Sequence, residues 1–126
     1  MSTSTVTHHR WSEIVPEQIT PAVSRRYITA DRVTVARFEL KRGGVVPRHA
    51  HDNEQVSFVV QGALRFKIDG REIVVRGGEL IQIPGNVPHE VDVLEDTLAL
   101  DVFSPVRQDW IEKTDTYFTQ GLEAGR

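Results

Sequence analysis

The sequence predicts an all-β protein, a double-sheet jelly-roll barrel with a short N-terminal arm and a short helical or irregular C-terminal tail. Three observations predict it. Apolar and polar residues alternate in short runs such as Leu64-Arg65-Phe66-Lys67-Ile68-Asp69, the two-residue period of a half-buried strand. Turn signals (Gly43-Gly44, Asp69-Gly70, Gly77-Gly78, Pro84-Gly85-Asn86) recur at the spacing of a β-sandwich or barrel. Helical periodicity is nearly absent. Short antiparallel strands with Gly-rich turns close as a jelly roll.

The 126 residues fit one core, divided as an arm at 1–20, a barrel at 21–112 and a tail at 113–126. Residues 1–10 read as loosely docked, with His8-His9 solvated. Trp11 to Ile19 reads as an arm across a sheet or a neighbouring subunit, since Pro16 stops a long helix. Arg25 to Ala30 and Arg32 to Leu40 are strands, the second strongly alternating and β-rich. Gln55 to Gln61 and the run around Leu64 to Ile68 follow. Asp69-Gly70 asks for a hairpin with positive φ, from which Arg71 to Arg76 returns. Leu80 to Ile83, His89 to Val93 and Thr97 to Phe103 complete the strands. Arg107 to Tyr117 reads as a turn of helix around Trp110 and Ile111.

Net charge is −3, and no basic run of five or more occurs, which argues against nucleic acid or an anionic membrane as partner. No apolar leader or membrane-length run is present, so a cytoplasmic location is expected. Cysteine is absent. Any metal must therefore be held by imidazole, amide or carboxylate.

Candidate ligands cluster in Gly43–Gly62. His49 and His51 are two apart, so on an extended strand both imidazoles face one way, and Gln55 keeps their parity. A further imidazole, His89, follows the Pro84-Gly85-Asn86 turn. Three imidazoles and an amide carbonyl suit one divalent ion such as Zn, Ni, Fe(II), Co or Mn. Glu54 is the alternative fourth ligand if a bulge re-aims it, because strand parity points it the other way. With Gln55 the ligand set is neutral and leaves the full 2+ charge on the ion, which favours Lewis acidity. On the last strand Ala99, Asp101 and Phe103 share one face. A buried aspartate there is costly unless paired or used.

Gly43-x5-His49-x-His51-x3-Gln55-x6-Gly62 resembles the first motif of the cupin family, with Gln55 where glutamate is usual. Gly78-x5-Pro84-x4-His89 resembles the second, with Asn86 replacing glycine and Val93 where asparagine is common. The resemblance implies the cupin double-stranded β-helix and a metal at His49, His51, Gln55 and His89. The tail D-x-F-x3-R segment, with HAHDNEQ and IPGNVPHEV, is similar to the KdgF-type cupins of pectin and alginate degradation. That similarity implies linearisation of 4,5-unsaturated uronates, with Asp101, Phe103 and Arg107 lining the site. Asp101 would move protons, Phe103 would form a wall, and Arg107 would clamp a carboxylate bidentately.

Bland readings stand beside these. An Asp101–Arg107 ion pair would merely close the barrel mouth. Arg25 and Arg26 read as a solvated edge, and Trp11 and Trp110 as packing or dimer residues. Tyr27, Gln61 and Arg65 are open between cavity and outside. A metal-dependent dioxygenase and a non-catalytic small-molecule-binding cupin are the alternative functions. A homodimer is expected, formed by addition of the 25–30 strand to a partner's sheet edge.

Overall fold

The computed structural model describes residues 5–115. After a 3-10 turn at Trp11–Glu13, ten strands follow: β1 (Glu17–Thr20), β2 (Val23–Thr29), β3 (Thr34–Leu40), β4 (Val45–His49), β5 (Glu54–Gln61), β6 (Ala63–Ile68), β7 (Arg71–Arg76), β8 (Leu80–Ile83), β9 (His89–Val93) and β10 (Thr97–Ser104). A one-turn helix, α1 (Gln108–Ile111), ends the described chain. The expected helix thus covers only the first part of 107–117, and Tyr117 lies outside the described residues.

Two antiparallel sheets face each other, one ordered β1-β2-β3-β10-β5-β8 and the other β4-β9-β6-β7. Alternation decides which side chains lie between them. On β3 the buried positions are Thr34, Ala36, Phe38 and Leu40, and on β10 they are Thr97, Ala99, Asp101 and Phe103. On β6 they include Leu64, Phe66 and Ile68. Each buried Phe or Leu contributes roughly 1.5–3 kcal/mol of hydrophobic stabilisation, so the interior is apolar except where the site interrupts it. Asp69 and Gly70 both take positive φ, as the hairpin signal required.

Two expectations are corrected. The 25–30 segment is not a free edge, because β2 pairs with β1 on one side and β3 on the other. The last four residues of the arm add that covering strand. Arg25 is not solvated: its side chain is only 2% exposed and pairs with Glu17 and Asp115. Arg26 stays partly exposed, bonded to the Ile14 carbonyl and to Glu39. Among the described residues no helix is long and apolar enough to cross a membrane.

Candidate metal centre and cavity

His49 ends β4 and His89 begins β9, and the two are direct partners in the register between those strands. Their ring centroids are 4.3 Å apart. His51 lies beyond the end of β4, in the loop to β5, rather than on the continuous strand expected. Its ring still sits 5.6 Å from that of His49 and 5.3 Å from that of His89. The loop is held from two sides. Asn86 donates its N–H to the His51 carbonyl at 2.7 Å, and the Asn53 amide donates to the carbonyls of Pro105 and Val106. Gly85 permits the close approach, since a Cβ there would collide with the Asp52 carbonyl oxygen. Asn86 takes a positive φ of 65°, which explains why asparagine serves where glycine is usual.

All three imidazoles face a backbone carbonyl through Nδ1: His49 to Pro47 at 2.8 Å, His51 to Asn53 at 3.1 Å and His89 to Val87 at 2.8 Å. Those carbonyls can only accept, so each Nδ1 carries the proton and each Nε2 keeps its lone pair. Nε2 of His89 is buried with no hydrogen-bond partner. The ligand atoms of the three residues lie within 4.8 Å of one another. Burial and the neighbouring His89 lower the His49 pKa to about 3. Burial and the Arg107 charge lower that of His51 to about 4. His89 is also lowered, chiefly by burial. The three are neutral at pH 7, as ligation requires.

Gln55, on β5, turns inward beside them, with Oε1 at 3.1 Å from His51 Nε2. Its amide nitrogen donates to Ser57 Oγ at 2.9 Å and to Asp101 Oδ2 at 3.4 Å, so the oxygen is the end aimed at the histidines. With His51 protonated on Nδ1, two lone pairs face each other at that short distance. A cation between them removes the conflict. Glu54 is exposed on the outer face of β5. The chemistry of this donor set, three Nε2 atoms and one amide oxygen, fits a borderline divalent ion.

The cluster opens on a cavity of about 50 Å³ between the sheets. Asp101, Phe103, Arg107, Ser57 and Trp110 line it. Asp101 is 8% exposed, and burial pushes its carboxyl up to about 7 against the opposing pulls of Ser57 and Arg107. Arg107 forks onto Asp109, with Nε–Oδ1 at 2.9 Å and Nη2–Oδ2 at 2.7 Å. Burial alone would raise the Asp109 carboxyl, but Arg107 holds it below its ordinary value. Asp101 therefore experiences Arg107 as a nearby charge, while Asp109 receives the bidentate pair. Arg65 instead pairs with Asp92 at 2.9 Å. Gln61 lines a groove on the outer surface, and Tyr27 packs on Trp110 rather than lining the cavity.

Sequence reasoning missed Ser57, Asp109 and the cavity-lining role of Trp110. Ser57 had a signal, since it shares the parity of Gln55. Asp109 had none beyond its nearness to Arg107.

Residues 36–104 match the cupin domain family. The chain is 26% identical over 98 residues to the pectin degradation protein KdgF of Dickeya dadantii (strain 3937), covering 75% of this chain and 89% of that protein. The structure of KdgF from Halomonas sp. matches at a TM-score of 0.78 and 27% identity, covering 84% of this chain and 99% of that one. The polyketide cyclase RemF of Streptomyces resistomycificus matches at a TM-score of 0.68 and 24% identity, covering 80% of each chain, and shares the fold. The two-sheet barrel, the converging histidines and these matches agree that the chain belongs to the cupin family, as a KdgF-like member.

Proposed function

We propose that this cupin is a metal-dependent enzyme that opens the ring of 4,5-unsaturated uronates to linear keto sugar acids. The observation that carries the reading is the convergence of three Nε2 lone pairs and the Gln55 amide oxygen beside a buried carboxyl. His49, His51, His89 and Gln55 would hold one divalent ion. A bound ion would supply Lewis acidity toward a ring or carbonyl oxygen of the substrate.

Opening such a ring is an isomerisation. A proton leaves the anomeric hydroxyl, the bond from the anomeric carbon to the ring oxygen breaks, and the resulting enolate takes a proton on carbon to become a ketone. Both proton transfers suit a buried carboxyl whose proton affinity burial raises, which supports Asp101 as the shuttle. Ser57 and Gln55 fix its orientation. Arg107 would meet the substrate carboxylate, with Asp109 holding the Nε–Nη2 edge of its guanidinium in place. The Phe103 ring would form an apolar wall. A 50 Å³ cavity has room for only a few waters, so most of a uronate would stand in the barrel mouth.

The test is turnover of an unsaturated uronate by Asp101→Asn beside the parent protein. Loss of turnover with metal content retained supports the reading. Unimpaired turnover overturns it.

A further inference from the structure

Behind Arg107 lies a second buried guanidinium that the proposed chemistry does not use. Arg25, Trp110, Arg107 and Phe103 are exposed by only 2%, 0%, 1% and 2%. The Arg25 Cζ lies 4.2 Å from the centroid of the Trp110 ring, and the Arg107 Cζ lies 4.4 Å from the same ring. Arg107 also lies 4.7 Å from the Phe103 ring, which meets Trp110 edge-on at 5.1 Å. The indole thus carries two cations. Tyr27 supports it from a third direction, at 5.1 Å.

Two guanidiniums on one ring are no more than about 9 Å apart and repel each other, so burying both needs compensation. Three carboxylates provide it. Asp109 takes the fork of Arg107, while Glu17 of β1 and Asp115 beyond α1 take Arg25 at 3.3 and 2.8 Å. Each ring–guanidinium contact adds a directional attraction that fixes the plane of the cation. The order along the stack gives it a direction. Arg107 lines the cavity and Arg25 does not, and the Trp110 indole is the contact the two guanidiniums share.

We propose that Arg25 and Trp110 are positioning residues that set the place and plane of the Arg107 guanidinium at the cavity. Arg25 clamps one side of the indole, and the indole presents itself to Arg107. The arm strand, through Glu17, and the segment after α1, through Asp115, are thereby tied to the substrate-facing cation. The inference rests on the reading of Arg107 as the carboxylate-binding group.

The test is a double-mutant cycle on metal-loaded, full-length protein with Arg25→Met, Arg107→Met and the pair, assayed with unsaturated galacturonate. Arg25→Met should raise KM about tenfold with kcat changed less than about twofold, and Arg25→Lys should recover only part of the loss because an ammonium lacks the stacking plane. In the Arg107→Met background Arg25→Met should add nothing. Multiplying losses, or an unchanged KM in folded Arg25→Met, would overturn the proposal. If Arg25→Met does not fold, Trp110→Phe takes its place in the same cycle with the same outcomes. A readout independent of substrate is the Arg107 Nε–H resonance, shifted by the flanking rings. It should move toward the free-arginine position in the Arg25 or Trp110 variant, and its staying in place sinks the inference. Absence of uronate turnover by the parent protein would count against the proposed function alone, since that resonance would still report on the stack.

Discussion

Asp101→Asn should make the metal-free protein more stable while removing its activity, and the size of the gain should depend on pH. In the fold, burial raises the Asp101 carboxyl from 3.8 to about 7. A group whose pKa is raised by folding binds its proton more tightly in the native state. Its favourable contribution is present below the unfolded value, near pH 4, and is lost as pH rises to 7. The shift of roughly three units corresponds to about 4 kcal/mol at pH 8, where folding must bury a carboxylate. Asparagine keeps the shape and never ionises. Urea unfolding of chelator-treated parent and variant between pH 4 and 8 should therefore give a stability difference near zero at the acid end. The difference should widen in favour of the variant toward pH 8. A difference that does not change with pH, or a variant less stable than the parent at pH 8, would refute the reasoning.

Gln55→Glu should retain metal but lower turnover tenfold or more on an order-of-magnitude basis, because an anionic ligand partly neutralises the ion and adds a carboxylate beside Asp101. Metal analysis with kinetics checks it. Gly85→Ala should lower stability by roughly 1–3 kcal/mol through the clash with Asp52, and should weaken metal retention by displacing the His51 loop; a urea midpoint and a metal titration read the two effects. Adding a divalent ion at about a thousandfold over its dissociation constant should stabilise the protein by about 4 kcal/mol, an effect that His89→Ala removes. We also propose a homodimer, formed through the outer face of the larger sheet rather than by edge addition of β2. Phe58, Val60, Leu80 and Val102 are exposed there, and the register sets Phe58 beside Leu80 and Leu100. Sedimentation should give a dimer that Phe58→Glu dissociates; a parent that sediments as a monomer contradicts the proposal.

The strands were legible because alternation is local: each inward residue of β3, β6 and β10 could be read from its neighbours. The histidines were legible for a related reason, since their spacing and the turns around them are short-range features. His51 shows the limit. Parity on an ideal strand aimed it correctly for the wrong reason, because a loop held by Asn53, Gly85 and Asn86 aims it instead. Arg25 was misread because an arginine on a strand is usually solvated. Its burial depends on Trp110 and Asp115, far along the chain, and on Glu17 across a strand pair. Asp109 took the fork of Arg107 because the two share one turn, which left Asp101 available for a different use. A long-range ion pair such as Arg25–Asp115 leaves no periodic trace in a sequence.

The central claim is that the three imidazoles and Gln55 hold an ion on which sugar-acid ring opening depends. Elemental analysis of the purified protein, paired with an unsaturated-uronate assay before and after chelation, tests it most directly. Close to one divalent ion per chain is expected, with ion and turnover lost together in His51→Ala and His89→Ala and recovered when the chelated parent is reloaded. Full turnover by the metal-free protein, or by His89→Ala, would contradict it.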